Sequence, residues 1–150
     1  ETDPADWQRI LDLNLAGTWN TARAFGPLLM ERGGGKFIAI ASMHGHVADP
    51  DLSAYAPAKA AVVQLTRVLA LEWAPHSIAV NCIAPSHIRT QRTKALEEDR
   101  DEYARIVAKS PIGRFGEPWE LIGPAVFLAS DASSLVTGHS LIVDGGWTIS

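Results

Sequence analysis

Residues 36–42 read KFIAIAS, a short apolar run that ends in a serine, and residues 55–59 follow one loop later as YAPAK. A near-continuous apolar run of this length is typical of a parallel strand covered on both faces. Residues four apart lie on the same face of a helix, so Tyr55 and Lys59 are expected to point into the same space. The two stretches therefore predict a strand, a loop and a helix that bring polar side chains to the end of a buried strand.

The helix that carries this pair is predicted to span residues 53–73. Pro57 lacks an N–H and must lie in or near the first turn, and Pro75 stops the helix. The loop over residues 43–52 would lie at the carboxyl end of the preceding strand. Ligands bind at such positions in open α/β sheets, so the sequence predicts a binding site beside the loop.

The pairing of Tyr55 with Lys59 predicts proton transfer. A phenol is a poor base at neutral pH, but a lysine cation a few ångströms away favours the phenolate. Ser42 can donate and accept hydrogen bonds, and could hold the oxygen that gains or loses the proton. Tyr and Lys one turn apart also occur on solvated helix faces, so the surrounding sequence must support this interpretation.

Three further motifs do so. Asn14 lies within a long predicted helix over residues 4–31, NCIAP occupies residues 81–85, and VDGG occupies residues 143–146. With Ser42 and the YAPAK stretch, these motifs resemble the short-chain dehydrogenase/reductase family in both content and order. The resemblance covers nearly the whole chain.

The resemblance implies a role for individual residues. Its catalytic residues would be Ser42, Tyr55, Lys59 and Asn14, the last at a helix irregularity that holds water linking the lysine to solvent. Its cofactor-binding residues would be Tyr55, Lys59, Pro85, Ser86, Ile88 and Thr90. The cofactor would be NAD or NADP, and the reaction would interconvert a secondary alcohol and a ketone. Among polar neighbours, His44 and His87 are expected to line the substrate pocket.

Two positions leave alternatives open. The family has Pro-Gly where this chain has Pro85-Ser86, and the Ser86 side chain would either crowd the backbone's approach to a nicotinamide ring or hydrogen-bond there. Thr90 resembles a hydroxyl that contacts the nicotinamide carboxamide or a phosphate, but a helix cap explains it nearly as well. For Asn14, an ordinary core asparagine bonded to neighbouring backbone is the alternative.

The composition excludes several classes of protein. A chain of 150 residues, 47% hydrophobic and 20% charged, predicts one globular domain over residues 1–150. A net charge of −4 leaves no basic field for nucleic acid. Cys82 is the only cysteine and lies in an apolar run, so we expect a buried thiol. No apolar stretch approaches the roughly 20 residues of a membrane span, which favours a cytoplasmic protein without a membrane partner.

The predicted fold is α/β: a three-layer α/β/α arrangement that corresponds to the second half of a doubly wound, Rossmann-like parallel sheet. No G-x-G-x-x-G pattern occurs, so the phosphate cradle of the first half is absent from these residues. The strand over residues 36–42 would consequently have an open edge. The chain begins at Glu1 and its first Met is Met30, so we expect that Glu1 is not a native start. The isolated 150 residues are expected to bind cofactor poorly and turn over slowly.

Other functions remain as alternatives. Ser42 could serve as the nucleophile of an esterase-like hydrolase with Tyr55 and Lys59 as base, although no G-x-S-x-G elbow is present. A non-catalytic, self-associating half-domain is a third possibility. His44 and His46 suggest a metal, but two histidines without a carboxylate or thiol partner make a poor site, and we expect none.

Homo-oligomer formation, as a dimer or tetramer, is implied by the resemblance through helices 4–31 and 53–73. Trp147 near the end of the chain is expected at a subunit contact, with a role in covering a pocket as the alternative. The substrate would be a small alcohol or ketone. Residues 111–115 and 136–147 look like the corresponding segments of sugar-acid, polyol and simple hydroxy-compound dehydrogenases. They do not select among these substrates, nor between NAD and NADP.

Overall fold

Three parallel strands form the centre of the protein in a computed structural model that describes residues 3–150. They are β1 (Gly35–Ile40), β2 (Ile78–Pro85) and β3 (Ser140–Val143), in the order β1-β2-β3. The predicted α/β fold with a parallel sheet is confirmed. The third strand stops at Val143, because the Asp144 carboxylate accepts hydrogen bonds from the backbone N–H groups of Gly146 and Thr148.

The helical region before the sheet runs without interruption from Pro4 to Glu31. It consists of α1 (Pro4–Leu11), a π-helical turn (Asp12–Ala16) and α2 (Gly17–Glu31). Asp3 begins it by accepting the backbone N–H of Ala5 at 2.8 Å, as expected for an N-cap. The single long helix predicted over residues 4–31 is therefore present, with a local irregularity in its first half.

The helix that carries the tyrosine and lysine is α3 (Tyr55–Trp73), two residues shorter than predicted at its start. Pro57 has no N–H to donate to the carbonyl four residues before it, so regular helical bonding does not extend back to Ser53. Residues 53–54 form a turn that leads into the helix instead. Tyr55 is consequently the first helical residue.

The alternating residues of the sheet divide between two faces, as the pleat requires. Val80, Cys82 and Ala84 of β2 are buried against the helices, and the prediction of a buried cysteine is confirmed. The helix α6 (Ile122–Ala129) packs against β1 and β2 from the other side and completes three layers. Two apolar clusters thus hold α2 and α3 on one face of the sheet.

The segment between β2 and α6 contains two short helices, α4 (Lys94–Glu98) and α5 (Arg100–Val107). Asp99 separates them, because its side chain accepts the N–H groups of Asp101 and Glu102 and so caps α5. A 3₁₀ turn (Pro118–Leu121), with a capping box between Glu117 and Glu120, leads into α6.

The outer edge of β1 is not paired with any strand of residues 3–150, which agrees with the predicted open edge. Large apolar side chains on the helical part of the chain before β2 are also exposed. Leu13 is 74% and Leu71 79% exposed. Other exposed apolar residues on this part of the chain are Trp7, Trp19, Phe25, Leu28 and Val68. Within the described residues, no helix has the length and apolar character needed to cross a membrane.

Candidate active site

An open cleft of about 470 Å³ lies where β1 and β2 end. Every residue that the sequence analysis proposed for catalysis, cofactor binding or substrate binding lines it: Asn14, Ser42, His44, Tyr55, Lys59, Pro85, Ser86, His87, Ile88 and Thr90. One wall, the α3 wall, consists of Ser42, His44 and the start of α3. The opposite wall, the 86–118 wall, consists of the segment that follows β2.

Ser42 is positioned by the end of β1. Its backbone is extended, with φ −164° and ψ 157°, and a single 3₁₀ turn (Met43–Gly45) follows. The hydroxyl oxygen accepts the backbone N–H of His44 at 3.2 Å, and the side chain is buried. Within residues 3–150 the hydroxyl proton has no acceptor, so it is available to a ligand oxygen in the cleft.

Lys59 lies one turn after Tyr55 on α3 and lines the same cleft. Its Nζ lies 5.7 Å from the centroid of the Tyr55 ring and donates a hydrogen bond to the Ile40 carbonyl oxygen at 2.9 Å. The side chain is 8% exposed. Burial lowers the pKa of Lys59, and repulsion from Arg92 lowers that pKa further. The ammonium is therefore held by β1 beside the phenol ring, in a place where its charge is weakly solvated.

Gly45 fixes the distance between the loop and α3. A Cβ at this position would lie 2.9 Å from the backbone oxygen of Lys59 and 3.2 Å from a methyl group of Val63. No side chain fits there without displacing backbone. The loop that carries Ser42 and His44 can therefore lie directly on the helix that carries Tyr55 and Lys59.

Asn14 lies in the middle of the π-helical turn. Its side-chain amide donates to the Ile10 carbonyl at 2.9 Å. Its backbone carbonyl accepts a hydrogen bond from the Thr18 hydroxyl at 2.8 Å. Single π-helical turns within α-helices occur often at functional sites. The amide bond to Ile10 also fits the alternative of an asparagine held by local backbone, while the position places Asn14 on the cleft.

The 86–118 wall is joined to the sheet by backbone bonds. Ser86 donates its N–H to Val143 of β3 at 3.1 Å, and Ile88 forms a β-bridge with Gly116. Thr93 accepts the N–H of Thr90 at 2.9 Å and donates to the Ile88 carbonyl at 2.8 Å. Thr93, not Thr90, immediately precedes α4, so the helix-cap interpretation of Thr90 is wrong.

Two histidines meet across the cleft. The rings of His44 and His87 are 6.1 Å apart, and that of His44 also contacts Tyr55 at 6.3 Å. His87 stacks on Phe115 at 5.2 Å. Burial lowers the pKa of His44, although Asp49 opposes the shift, and burial also lowers the pKa of His87, with a further contribution from His44. Both imidazoles are thus favoured in the neutral form.

A half-exposed ion pair behind His44 was not foreseen from the sequence. Asp49 accepts a hydrogen bond from Lys109 at 2.8 Å, and the Lys109 ammonium lies 4.9 Å from the Trp147 ring centroid. Trp147 is 7% exposed and contacts His44 at 5.6 Å, so the expected subunit contact is wrong and the ring packs within the chain. The pair joins residues 60 positions apart, which no local sequence pattern indicates.

Arg92 is a second residue that the sequence analysis missed. Its guanidinium carbon lies 5.6 Å from the centroid of the Tyr55 ring. The side chain is exposed and lines the cleft. A cation in a polar, charged segment carries no signal of its own, and only its position opposite Tyr55 identifies it.

The two histidines that suggest a metal in the sequence do not converge. His46 bonds through Nε2 to the hydroxyl of Ser140 at 2.8 Å, whereas His44 faces Asp49 and Trp147. Among residues 3–150 no three His, Cys, Asp or Glu side chains form a cluster that could hold a metal ion.

Comparisons with known proteins agree with this arrangement. A family model described as enoyl-(acyl carrier protein) reductase matches residues 1–148. The chain is 41% identical over 151 residues to galactitol 2-dehydrogenase (L-tagatose-forming) of Cereibacter sphaeroides, covering 99% of this chain and 59% of that protein. It is 40% identical over 148 residues to 2-dehydro-3-deoxy-D-gluconate 5-dehydrogenase of Dickeya dadantii, covering 98% and 58%.

Solved structures give the same result. A crystal structure of a gluconate 5-dehydrogenase from Burkholderia cenocepacia, in complex with NADP and tartrate, superimposes with a TM-score of 0.96 at 38% identity. The alignment covers 99% of this chain and 58% of that one. The 150 residues therefore span somewhat more than half the length of the proteins they match.

Proposed function

Because the chain belongs to the short-chain dehydrogenase/reductase family, we propose that it serves a nicotinamide-dependent oxidoreductase that interconverts a secondary alcohol and a ketone. The observation that carries the proposal is the convergence of Ser42, Tyr55 and Lys59 on one cleft at the carboxyl ends of two parallel strands. Substrates of sugar-acid or polyol type fit the names of the relatives and the polar lining of the cleft.

In this proposal Tyr55 is the acid and base. It gives a proton to the carbonyl oxygen during reduction and takes one from the hydroxyl during oxidation. Ser42 donates its free hydroxyl proton to the same oxygen and fixes its position. Lys59 places its ammonium beside the Tyr55 ring, where the Ile40 carbonyl holds it. Asn14 holds the water through which Lys59 exchanges protons with solvent.

The residues fit the nicotinamide end of NAD or NADP, whose bound form supplies or accepts the hydride. Lys59 uses one of its N–H donors on Ile40, which leaves the others for the hydroxyls of a ribose. Tyr55 would contact the same ribose. The cleft is also lined by Pro85, Ser86, Ile88 and Thr90. The backbone of the first three and the hydroxyl of Thr90 would hold the nicotinamide ring and its carboxamide.

The two histidines are proposed as the substrate contacts. A neutral imidazole both donates and accepts hydrogen bonds, which suits the hydroxyl groups of a polyol or sugar acid. Burial lowers the pKa of both His44 and His87 and so favours that neutral form. Both histidines line the cleft, from opposite walls, which would let them contact different hydroxyls of one substrate.

We further propose that residues 1–150 form the catalytic half of a Rossmann-type domain and that the nucleotide phosphates are bound elsewhere. The exposed apolar residues on helices before β2, such as Leu13 and Leu71, support a homo-oligomer, a dimer or tetramer, formed through residues 4–31 and 53–73. We propose that it is cytoplasmic. Light scattering is expected to give more than the monomer mass of 16.2 kDa. A monomer at high concentration would contradict the oligomer.

The proposed reaction can be tested by following deuterium. The 150-residue chain is incubated for long periods with NADH or NADPH deuterated at both C4 positions and with ketone partners of gluconate and galactitol, and the alcohols are analysed by mass spectrometry. Wild-type protein is expected to transfer deuterium slowly, since it binds cofactor weakly. Tyr55→Phe is expected to reduce the transfer by about 100-fold or more, because general acid–base catalysis contributes at least that factor.

Tyr103→Phe is the matched control, because it removes the hydroxyl from the chain's other tyrosine, which packs on Phe115 outside the catalytic group. It is expected to leave the transfer within about twofold of wild type. Equal transfer by wild type and Tyr55→Phe, or none by wild type with either cofactor, would refute the proposed function.

A further inference from the structure

The charge of the cleft is opposite to that of the chain. The whole chain has a net charge of −4. Within residues 3–150, however, the cleft is lined by two cations, Lys59 and Arg92, and by no aspartate or glutamate. Attraction between opposite charges is stronger in a partly desolvated cleft than in bulk water. The site is therefore suited to an anionic ligand.

Arg92 differs from its neighbour Arg89 in how its charge is compensated. The Arg89 guanidinium binds the carboxylates of Glu97 and Glu117. Arg92 forms no ion pair with any carboxylate of the described residues, and it lies over the face of the Tyr55 ring. Its charge also repels the Lys59 ammonium. An anion between the two cations would reduce this repulsion and compensate the charge of Arg92.

We propose that Arg92 binds the carboxylate of the substrate, so that the chain selects hydroxy acids and keto acids over neutral polyols. This inference rests on the proposed function, because it places the carboxylate beside the oxygen that Tyr55 protonates. A guanidinium is planar and can bind both oxygens of a carboxylate through two parallel hydrogen bonds, which provides orientation as well as affinity.

A phosphate of the cofactor is the other anion that could bind Arg92. The phosphate nearest to a nicotinamide ring is separated from the reacting carbon by the ring and a ribose. Arg92, by contrast, lies on the ring of the residue that must contact the reacting oxygen. Its position therefore favours a carboxylate a few bonds from the reacting carbon of the substrate.

The test compares binding of matched ligands to the 150-residue chain by NMR titration. D-gluconate and galactitol have the same number of carbons and differ in charge, and nicotinamide mononucleotide presents a phosphate. The proteins are wild type, Arg92→Gln, Arg92→Lys and Arg100→Gln. Arg100 is an exposed arginine that does not line the cleft, so its replacement removes one positive charge from the chain without changing the site.

Wild type is expected to bind gluconate more tightly than galactitol. Arg92→Gln is expected to lower the affinity for gluconate about tenfold or more, because only gluconate loses a charge-assisted bidentate pair with its carboxylate. The affinities for galactitol and the mononucleotide should change less than about twofold. Arg92→Lys is expected to restore part of the gluconate affinity, and Arg100→Gln to change none of them.

The inference would be overturned if wild type bound gluconate no more tightly than galactitol, or if Arg92→Gln weakened the mononucleotide rather than gluconate. The second result would assign Arg92 to the cofactor phosphate. These outcomes are distinguishable from failure of the proposed function. Deuterium transfer that depends on Tyr55 but favours neutral polyols would exclude only the carboxylate, whereas loss of all transfer would exclude the reaction itself.

Discussion

The two walls of the cleft are held in place by different forces. The α3 wall rests on buried apolar contacts: Val62 and Val63 of α3 are 0% and 4% exposed and pack in one cluster with residues of β1 and β2. The 86–118 wall has few buried apolar side chains, chiefly Ile106 and Phe115. Its remaining connections are backbone bridges and exposed ion pairs, among them that of Arg114 with Glu120.

We infer from this difference that the two walls have different roles. Close packing fixes atoms to within a fraction of an ångström and does not depend on salt, which suits groups that must hold a proton-transfer geometry. Exposed ion pairs contribute little stability and are screened by salt, so a wall that depends on them can change its side chains at small cost. We expect chemistry to be set by the α3 wall and substrate choice by the 86–118 wall.

The largest effect is expected from adding one methyl group to the α3 wall. In Gly45→Ala the new Cβ would approach the backbone oxygen of Lys59 to 2.9 Å, so the loop with Ser42 must move away from α3. Such overpacking costs about 1–3 kcal/mol. Urea denaturation should show this loss, and Tyr55-dependent deuterium transfer should fall more than about tenfold because the hydroxyl and the phenol are no longer aligned.

Gly123→Ala is the control for this prediction. Gly123 lies in α6, and nothing lies within 4 Å of a Cβ added there. Replacing glycine by alanine in a helix is neutral or stabilising by up to about 1 kcal/mol. If Gly45→Ala were as stable and active as Gly123→Ala, close packing would not fix the α3 wall and the comparison would fail.

An intermediate effect is expected where the two walls meet, at the contact between His44 and His87. Burial lowers the pKa of both histidines, so between the folded pKa and the unfolded value near 6.5 the unfolded chain binds more protons than the folded chain. Their contribution to stability is therefore complete above about pH 6.5 and is lost as the pH falls towards the folded pKa. Carboxylates titrate mainly below this window.

His44→Phe keeps an aromatic ring against Trp147 and Tyr55 but cannot be protonated. The free energy of unfolding, measured in urea between about pH 7.5 and 5.5, should decline less steeply in this variant than in wild type, by the equivalent of a fraction of one proton. His76→Gln, at an exposed position after α3, should leave the wild-type slope unchanged. An unchanged slope in His44→Phe would show that His44 does not couple the walls to pH.

The same contrast explains how much could be predicted from the sequence. The elements of the α3 wall follow from local rules: an apolar run makes β1, and Pro57 restricts the start of α3. The start differed by two residues because a proline removes helical bonding on its amino-terminal side as well. The resemblance to the family then provided the residues proposed for catalysis and cofactor binding, all of which line the cleft, but not Arg92.

The 86–118 wall was less predictable. Residues 97–102 are mostly acidic, and no local pattern distinguishes Asp99, which ends one helix and caps the next, from its charged neighbours. The position of Arg92 over Tyr55, and the pair between Asp49 and Lys109, depend on how distant segments come together. A single sequence has no local pattern that encodes such contacts.

The smallest effect is expected from Arg89→Gln, which removes an ion-pair centre from the 86–118 wall. Arg89 joins α4, through Glu97, to the turn at Glu117, and the two carboxylates raise its pKa. The loss should be local: amide hydrogen exchange in α4 is expected to rise about two- to fivefold, while α3 exchanges at the wild-type rate, because exposed pairs are weak and local openings are independent of the core. High salt should produce a similar increase in wild type.

The control is Arg9→Gln, which removes the exposed pair with Asp6 on α1. It should leave amide hydrogen exchange in α4 unchanged. Faster exchange in α3 of Arg89→Gln would mean that the two walls open together, and would refute the division between a packed catalytic wall and an adaptable one.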